Sequence, residues 1–149
     1  AAYASPEPEP EMWKGKPYDA VFGFSFMPGL GIAGPVAGFA LNGAISVKIA
    51  HEGFIKDIND QAHLEVMGGP LFMSGVTAAV FSMHLKWDFV KNEFWTFYSV
   101  GGVGALFLTG QDIAYPRFGV GAVWNPFEFL GFRAELSHEF TGVGIVYTL

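Results

Sequence analysis

Phe39-Ala40-Leu41-Asn42-Gly43-Ala44-Ile45-Ser46-Val47-Lys48-Ile49-Ala50 is the stretch that decides the fold. In an extended chain Phe39, Leu41, Ile45, Val47 and Ile49 share one face, with Gly43 among them, and Ala40, Asn42, Ala44, Ser46, Lys48 and Ala50 share the other. That period of two belongs to a strand and is useless to a helix. Large apolar residues on one face and small or polar ones on the other suit a membrane barrel wall, with lipid outside and a polar lumen inside.

The same texture recurs on both sides of this stretch. Ala20, Phe22, Phe24 and Phe26 oppose Asp19, Gly23 and Ser25. Ala79, Phe81, Met83, Leu85, Trp87 and Phe89 oppose Ser82, His84, Lys86 and Asp88. Phe132, Ala134 and Leu136 oppose Arg133, Glu135, Ser137 and Glu139. Three runs (20–47, 66–83 and 94–111) carry no charge and by length alone could be transmembrane helices. Pro28, Gly29, Gly31, Gly34, Pro35 and Gly38 break the first run, and the period-2 pattern continues into charged segments that no such helix would include. Alternation and turn residues together predict strands over 19–28, 38–51, 62–73, 76–89, 93–108, 116–124, 129–139 and 142–149. The expected fold is all-β: a closed, antiparallel, up-and-down transmembrane barrel of about eight strands with short loops, which leaves no sheet edge open to lipid.

Composition agrees. The 149 residues are 51% hydrophobic and only 15% charged, with 16 Phe and 20 Gly, where soluble domains carry roughly 25% charged residues. A single soluble core of this size would struggle to hide so much apolar surface. The net charge of −6 argues against a nucleic-acid partner, which wants a basic stripe. Cysteine is absent, in keeping with an oxidising compartment. The opening Ala1-Ala2-Tyr3 reads as the start of a mature chain whose signal peptide has been removed.

Residues 1–18 stand apart from the barrel expected over 19–149. Pro6-Glu7-Pro8-Glu9-Pro10-Glu11 alternates a stiff imino acid with a carboxylate, which favours an extended, solvated segment. Trp13, Lys14, Lys16 and Tyr18 follow, an aromatic and basic cluster suited to a membrane interface. The segment reads either as a disordered leader or as a periplasmic docking tail whose partner would meet Glu7, Glu9, Glu11 and Trp13.

Taken together, residues 19–149 resemble the small bacterial outer-membrane barrels of the OmpA and OmpX type. The most specific point of likeness is the C-terminal Gly142-Val143-Gly144-Ile145-Val146-Tyr147-Thr148-Leu149. Gly144, Tyr147 and Leu149 match the assembly signal of such barrels, whereas Gly142 replaces its polar residue and Leu149 its usual terminal Phe. The resemblance implies a bacterial outer-membrane location, both termini in the periplasm, outer-membrane lipid around the wall and recognition by the barrel-assembly machinery. Two aromatic girdles are expected: Trp87, Phe89, Phe94, Trp95, Trp124, Phe127, Phe129 and Tyr147 at the termini end, and Phe72, Phe107, Tyr115, Phe118 and Phe140 at the other.

The predicted lumen holds Lys48, His63, Glu65, His84, Lys86, Asp88, Arg117, Arg133, Glu135 and Glu139. Eight strands leave an interior just filled by side chains, so these nearly balanced charges read as an ion-pair network sealing the barrel. A narrow porin-like conduit for small solutes, gated by His63 and His84, is the alternative. His63, Glu65 and His84 also have the chemistry of metal ligands, but Lys48 and Lys86 would oppose a cation; no metal or cofactor is expected. Some outer-membrane barrels are lipid-modifying enzymes using Ser and His. Here Ser137-His138-Glu139 supplies the residue types in a row, but neighbours on a strand face opposite ways and cannot form a nucleophile–base pair. His51 has no evident serine partner.

On the side away from the termini the expected connections are 29–37, 74–75, 109–115 and 140–141, too short for a typical receptor or adhesin. The longest connection, 52–61, lies on the termini side with the tail. The expected role is therefore non-enzymatic: a structural, anchoring or assembly partner in the cell envelope, with a periplasmic or membrane protein as its partner.

Overall fold

The alternation seen at Phe39–Ala50 runs around a complete ring. A computed structural model describes residues 20–33, 36–55, 60–91 and 94–149. Its strands are β1 (Phe22–Ala33), β2 (Val36–Ala50), β3 (Gln61–Met73), β4 (Val76–Lys91), β5 (Trp95–Leu108), β6 (Gln111–Trp124), β7 (Leu130–Ser137) and β8 (Phe140–Thr148). Each pairs antiparallel with its chain neighbour, and β1 pairs with β8 to close the barrel. The uncharged runs that could have been helices lie largely in β1 to β5.

Phe24, Phe26, Phe39, Ile45, Phe81, Met83, Phe132 and Ile145 point outward, while Arg117, Arg133, Glu135 and Glu65 are buried inside. At the termini end, aromatic rings form a stacked run on the outer wall. Phe97 stacks on Trp95 at 5.9 Å, Trp95 on Trp124 at 6.4 Å, and Trp124 on Phe132 at 5.6 Å. Phe72, Phe107 and Phe118 are exposed towards the other end, as the girdle expectation requires. Tyr115 and Phe140 are not: Phe140 is buried within the lumen and Tyr115 packs against the same inner cluster. Both residues follow the alternation of their strands, because β6 and β8 begin at Gln111 and Phe140, before the expected starts at 116 and 142.

The strand ends also differ from expectation at the turn-rich end. β1 continues through Pro28 to Ala33, β2 starts at Val36, and β6 starts at Gln111 rather than 116. Pro28, Pro70 and Pro116 are strand members, each within a strand already expected from the alternation. Each sits where a flanking ladder has a gap: β1–β8 pairing skips Met27 and Pro28, β2–β3 pairing skips Gly69 and Pro70, and β6–β7 pairing begins only at Gly119, beyond Pro116. A proline is tolerated where no partner needs its missing N–H. Consequently all four connections at this end are two residues long: 34–35 and 109–110 are tighter than expected, 74–75 is as expected, and the last falls at 138–139 rather than 140–141. Gly75 and Gly110 make two of them possible, with φ of 78° and 85°.

At the termini end, the segment after β2 is organised by Asp60. Its Oδ2 accepts from the Phe54 N–H at 2.6 Å, the Ile55 N–H at 3.2 Å and Trp87 Nε1 at 2.7 Å. Phe54 packs edge-on against Trp87, with ring centroids 5.8 Å apart.

Candidate functional site

The lumen divides into three tiers, and the sequence-predicted residues fill the lower two. Nearest the termini, Lys86 Nζ lies 2.5 Å from Asp88 Oδ1, and His63 Nε2 lies 3.2 Å from Asp88 Oδ2. Lys91 Nζ donates to Gln61 Oε1 at 2.6 Å in the same tier. Lys91 owes its inward position to a bulge between Asp88 and Val90, which changes the parity of the strand end. Lys48 is half-buried beside this tier, paired in register with His63.

Arg133 holds the middle tier. Nη1 donates to Glu65 Oε2 and Nη2 to Glu65 Oε1, both at 2.7 Å, a bidentate pair. Nη2 also reaches Glu135 Oε2 at 2.6 Å, Nε donates to the Tyr98 hydroxyl at 2.7 Å, and Nη1 reaches Ser25 Oγ at 3.1 Å. Tyr98 passes the chain on, donating to Glu135 Oε2 at 3.0 Å. His84 Nε2 lies 2.9 Å from Glu65 Oε1. The ammonium of Lys86 and the guanidinium carbon of Arg133 each lie 4.9 Å from the Tyr98 ring centroid, a favourable position for cations. Above them Arg117 bonds Glu135 and Glu139. Buried charges persist because each faces an opposite charge and further hydrogen bonds.

The network thus joins Glu65, His84, Arg117, Arg133, Glu135 and Glu139 in one chain of contacts, with Lys86, Asp88 and His63 in a second cluster. His63 and His84 are not brought together: one faces Asp88, the other Glu65. Among the described residues no group of three His, Asp or Glu side chains is placed to hold a metal. Ser137 and His138 face opposite ways. Ser137 Oγ donates to the Phe140 carbonyl at 2.9 Å, and the exposed His138 ring stacks on Phe118 at 4.5 Å.

Sequence reasoning missed Tyr98, Lys91 and Gln61. Tyr98 lies in a strand that reads as apolar on both faces, so only its parity with Thr96, also buried, could have flagged it.

The third tier, towards the two-residue turns, is apolar. Met27, Ala40, Ala44, Met67, Leu71, Ala78, Leu106 and Phe140 form its buried cluster. A cavity of about 620 Å³ lies there, against one of about 50 Å³ at the termini end.

On the C-terminal strand, Tyr147 and Leu149 face outward and Gly144 inward. The Leu149 carbonyl accepts from the Val21 and Phe22 N–H groups, both at 2.9 Å. Glu7, Glu9, Glu11 and Trp13 lie outside the described residues. No protein-family model matches the chain, and no curated protein matches it.

Proposed function

We propose that the protein is a non-conducting β-barrel of a bacterial outer membrane that anchors or helps to assemble a partner on its periplasmic side. The inverted distribution of side chains carries this reading. Arg117 and Arg133 are each 2% exposed inside the ring, whereas Phe26, Ile45, Phe118 and Leu136 are all more than half exposed outside it. In water such a wall would be an apolar surface far larger than soluble monomers show; in lipid it is the favourable face. The stacked aromatic run at the termini end fits an interfacial girdle.

Closure of the lumen supports the structural role over the conduit. Between the large cavity and the termini end stand Tyr98, Arg133, Glu65, Glu135 and His84, all almost wholly buried. Reconstituted protein is therefore expected to give no steady conductance in planar bilayers while showing a β-type circular dichroism spectrum and a gel mobility that changes on boiling. Reproducible single-channel steps would favour the conduit instead.

The anchoring role rests on the contrast between the two ends. One end offers only two-residue turns, and the other carries the Asp60-clamped segment and the Pro-Glu tail. A stiff acidic tail loses little entropy on docking to a basic, aromatic groove. Deleting Ala1–Glu11 is expected to leave the barrel inserted and to loosen, in a salt-sensitive way, a partner that co-purifies with the full-length protein from mild detergent. If neither form brings down a stoichiometric partner, the anchoring role is wrong.

A further inference from the structure

Eight-stranded barrels are normally filled by their own side chains, and the lower two tiers of this one are. The third tier is not, and the sequence is the reason. Its inward positions are small: Gly29, Gly31 and Ala33 on β1, Gly38 and Ala40 on β2, and Ala78 on β4. The resulting cavity of about 620 Å³ lies within the range of roughly 300–1,000 Å³ usual for small-molecule sites. Leu71, Leu106 and Phe140 line its walls, and residues of all four turn regions, among them Ala33, Ser74, Leu108 and His138, line its opening. Asn42 and Arg117 lie at the floor, both almost wholly buried.

We infer that this cavity is a binding site for one hydrocarbon chain of a neutral amphiphile, inserted tail first with its head group at the turn end. The inference goes beyond the anchoring role and does not depend on it. An apolar cavity of this size favours an apolar guest over water. Met67 and Met73, both in the lining, are flexible side chains that adapt to a guest's outline. From the rim to the floor, the six-residue span from Val36 to Asn42 on a tilted strand corresponds to about 15 Å. An extended chain of roughly twelve carbons has that length at ordinary C–C bond distances.

The charges specify the head group. The four turns and their flanks carry Asp112, His138 and Glu139 and neither lysine nor arginine. Arg117, at the floor, already has both terminal nitrogens engaged by Glu135 and Glu139. An anionic head would meet carboxylates, and His138 at the rim already lies 2.9 Å from Glu139 Oε2, so a neutral head is favoured.

Methyl-labelled methionine provides the test, in nanodiscs of deuterated neutral lipid with dodecanol as the probe. Met67 and Met73 report the cavity, while Met83 faces outward and reports the bilayer. Magnetisation transfer from the dodecanol chain to Met67 and Met73 is expected to saturate near one equivalent per barrel, whereas transfer to Met83 follows the bilayer concentration. Dodecanoate, at a pH where it is charged, is expected to bind at least about tenfold more weakly, a factor equivalent to about 1.4 kcal/mol. Ala40→Phe, which fills the cavity, should abolish transfer to Met67 and Met73 and spare Met83. Leu106→Trp serves the same purpose if Ala40→Phe does not fold, and the wild-type readout needs no substitution. Absence of saturable transfer at Met67 and Met73, or its persistence in a folded, filled variant, overturns the site. Equal binding of dodecanoate overturns the head-group assignment.

Discussion

Arg133→Leu is expected to destabilise the barrel by about 3–5 kcal/mol, the usual consequence of removing one partner from a buried ion pair. Urea unfolding from lipid vesicles, followed by tryptophan fluorescence, would measure it. The size follows from what the substitution strands. Glu65 would lose both bonds of a bidentate pair, Glu135 one of its cations, and Tyr98 the donor to its hydroxyl. Leucine offers none of these a partner, and the middle tier excludes the water that would replace it. Arg133→Lys should fall between wild type and Arg133→Leu, because a single ammonium keeps the charge but cannot reproduce the planar fork. Arg133→Leu combined with Glu65→Leu should cost less than the two single losses summed, since each removes the charge the other leaves unpaired. Strict additivity would mean that the two residues are not coupled as their geometry requires.

The second large effect concerns the seam where the ring closes. A methyl group at Gly144 would overlap the Phe26 carbonyl oxygen and press on Met27 Cα. Gly29 and Gly142 are similarly confined, against the Thr141 carbonyl and the Phe140 ring. The obstacle at Gly144 is backbone on the partner strand, so it cannot swing aside as a side chain can. Overpacking costs about 1–3 kcal/mol where side chains can adjust, and Gly144→Ala is expected to meet or exceed the top of that range. The visible result would be loss of the compact, boiling-sensitive gel form. Gly101→Ala is the matched control: nothing lies within 4 Å of its added methyl group, and its fold should be unchanged. Tyr147→Ala acts differently. That ring points outward and lies 5.8 Å from Phe129, so its loss should remove this ring contact without forcing β1 and β8 apart.

Much of this molecule is legible in its sequence because the barrel reduces the folding question to parity. Once Phe39–Ala50 is read as a strand, Lys48, His84, Arg133 and Glu135 must face inward, and they do. Parity fails where the backbone departs from it. The bulge after Asp88 moved Lys91 inside, and no residue type near it announces the change. The strand ends near Pro28 and Pro116 were hidden for a related reason: β1 and β6 run on past them, to Ala33 and back to Gln111. Pro28, Pro70 and Pro116 are turn signals in isolation, and only the neighbouring ladders reveal the gaps that accommodate them. Which charges meet was hidden too, because it depends on partners across the lumen. His63 and His84 share a face yet bond to different carboxylates. The cavity was written in the small inward residues of β1 and β2, but glycine there also reads as a turn.

The four two-residue turns have a kinetic consequence. Each joins a pair of strands, β1 to β2, β3 to β4, β5 to β6 and β7 to β8, whose contacts are local in the chain. Such hairpins form in about 1–10 μs, with little chain entropy lost in bringing their ends together. The contacts between hairpins are slower, and the slowest search must bring Gly23 to Thr148, near opposite ends of the chain. Until that search ends, β1 and β8 each present a row of unpaired backbone groups. The barrel is in this sense four prefabricated hairpins whose last junction is β1 with β8, and whatever hastens that closure must act on those two edges.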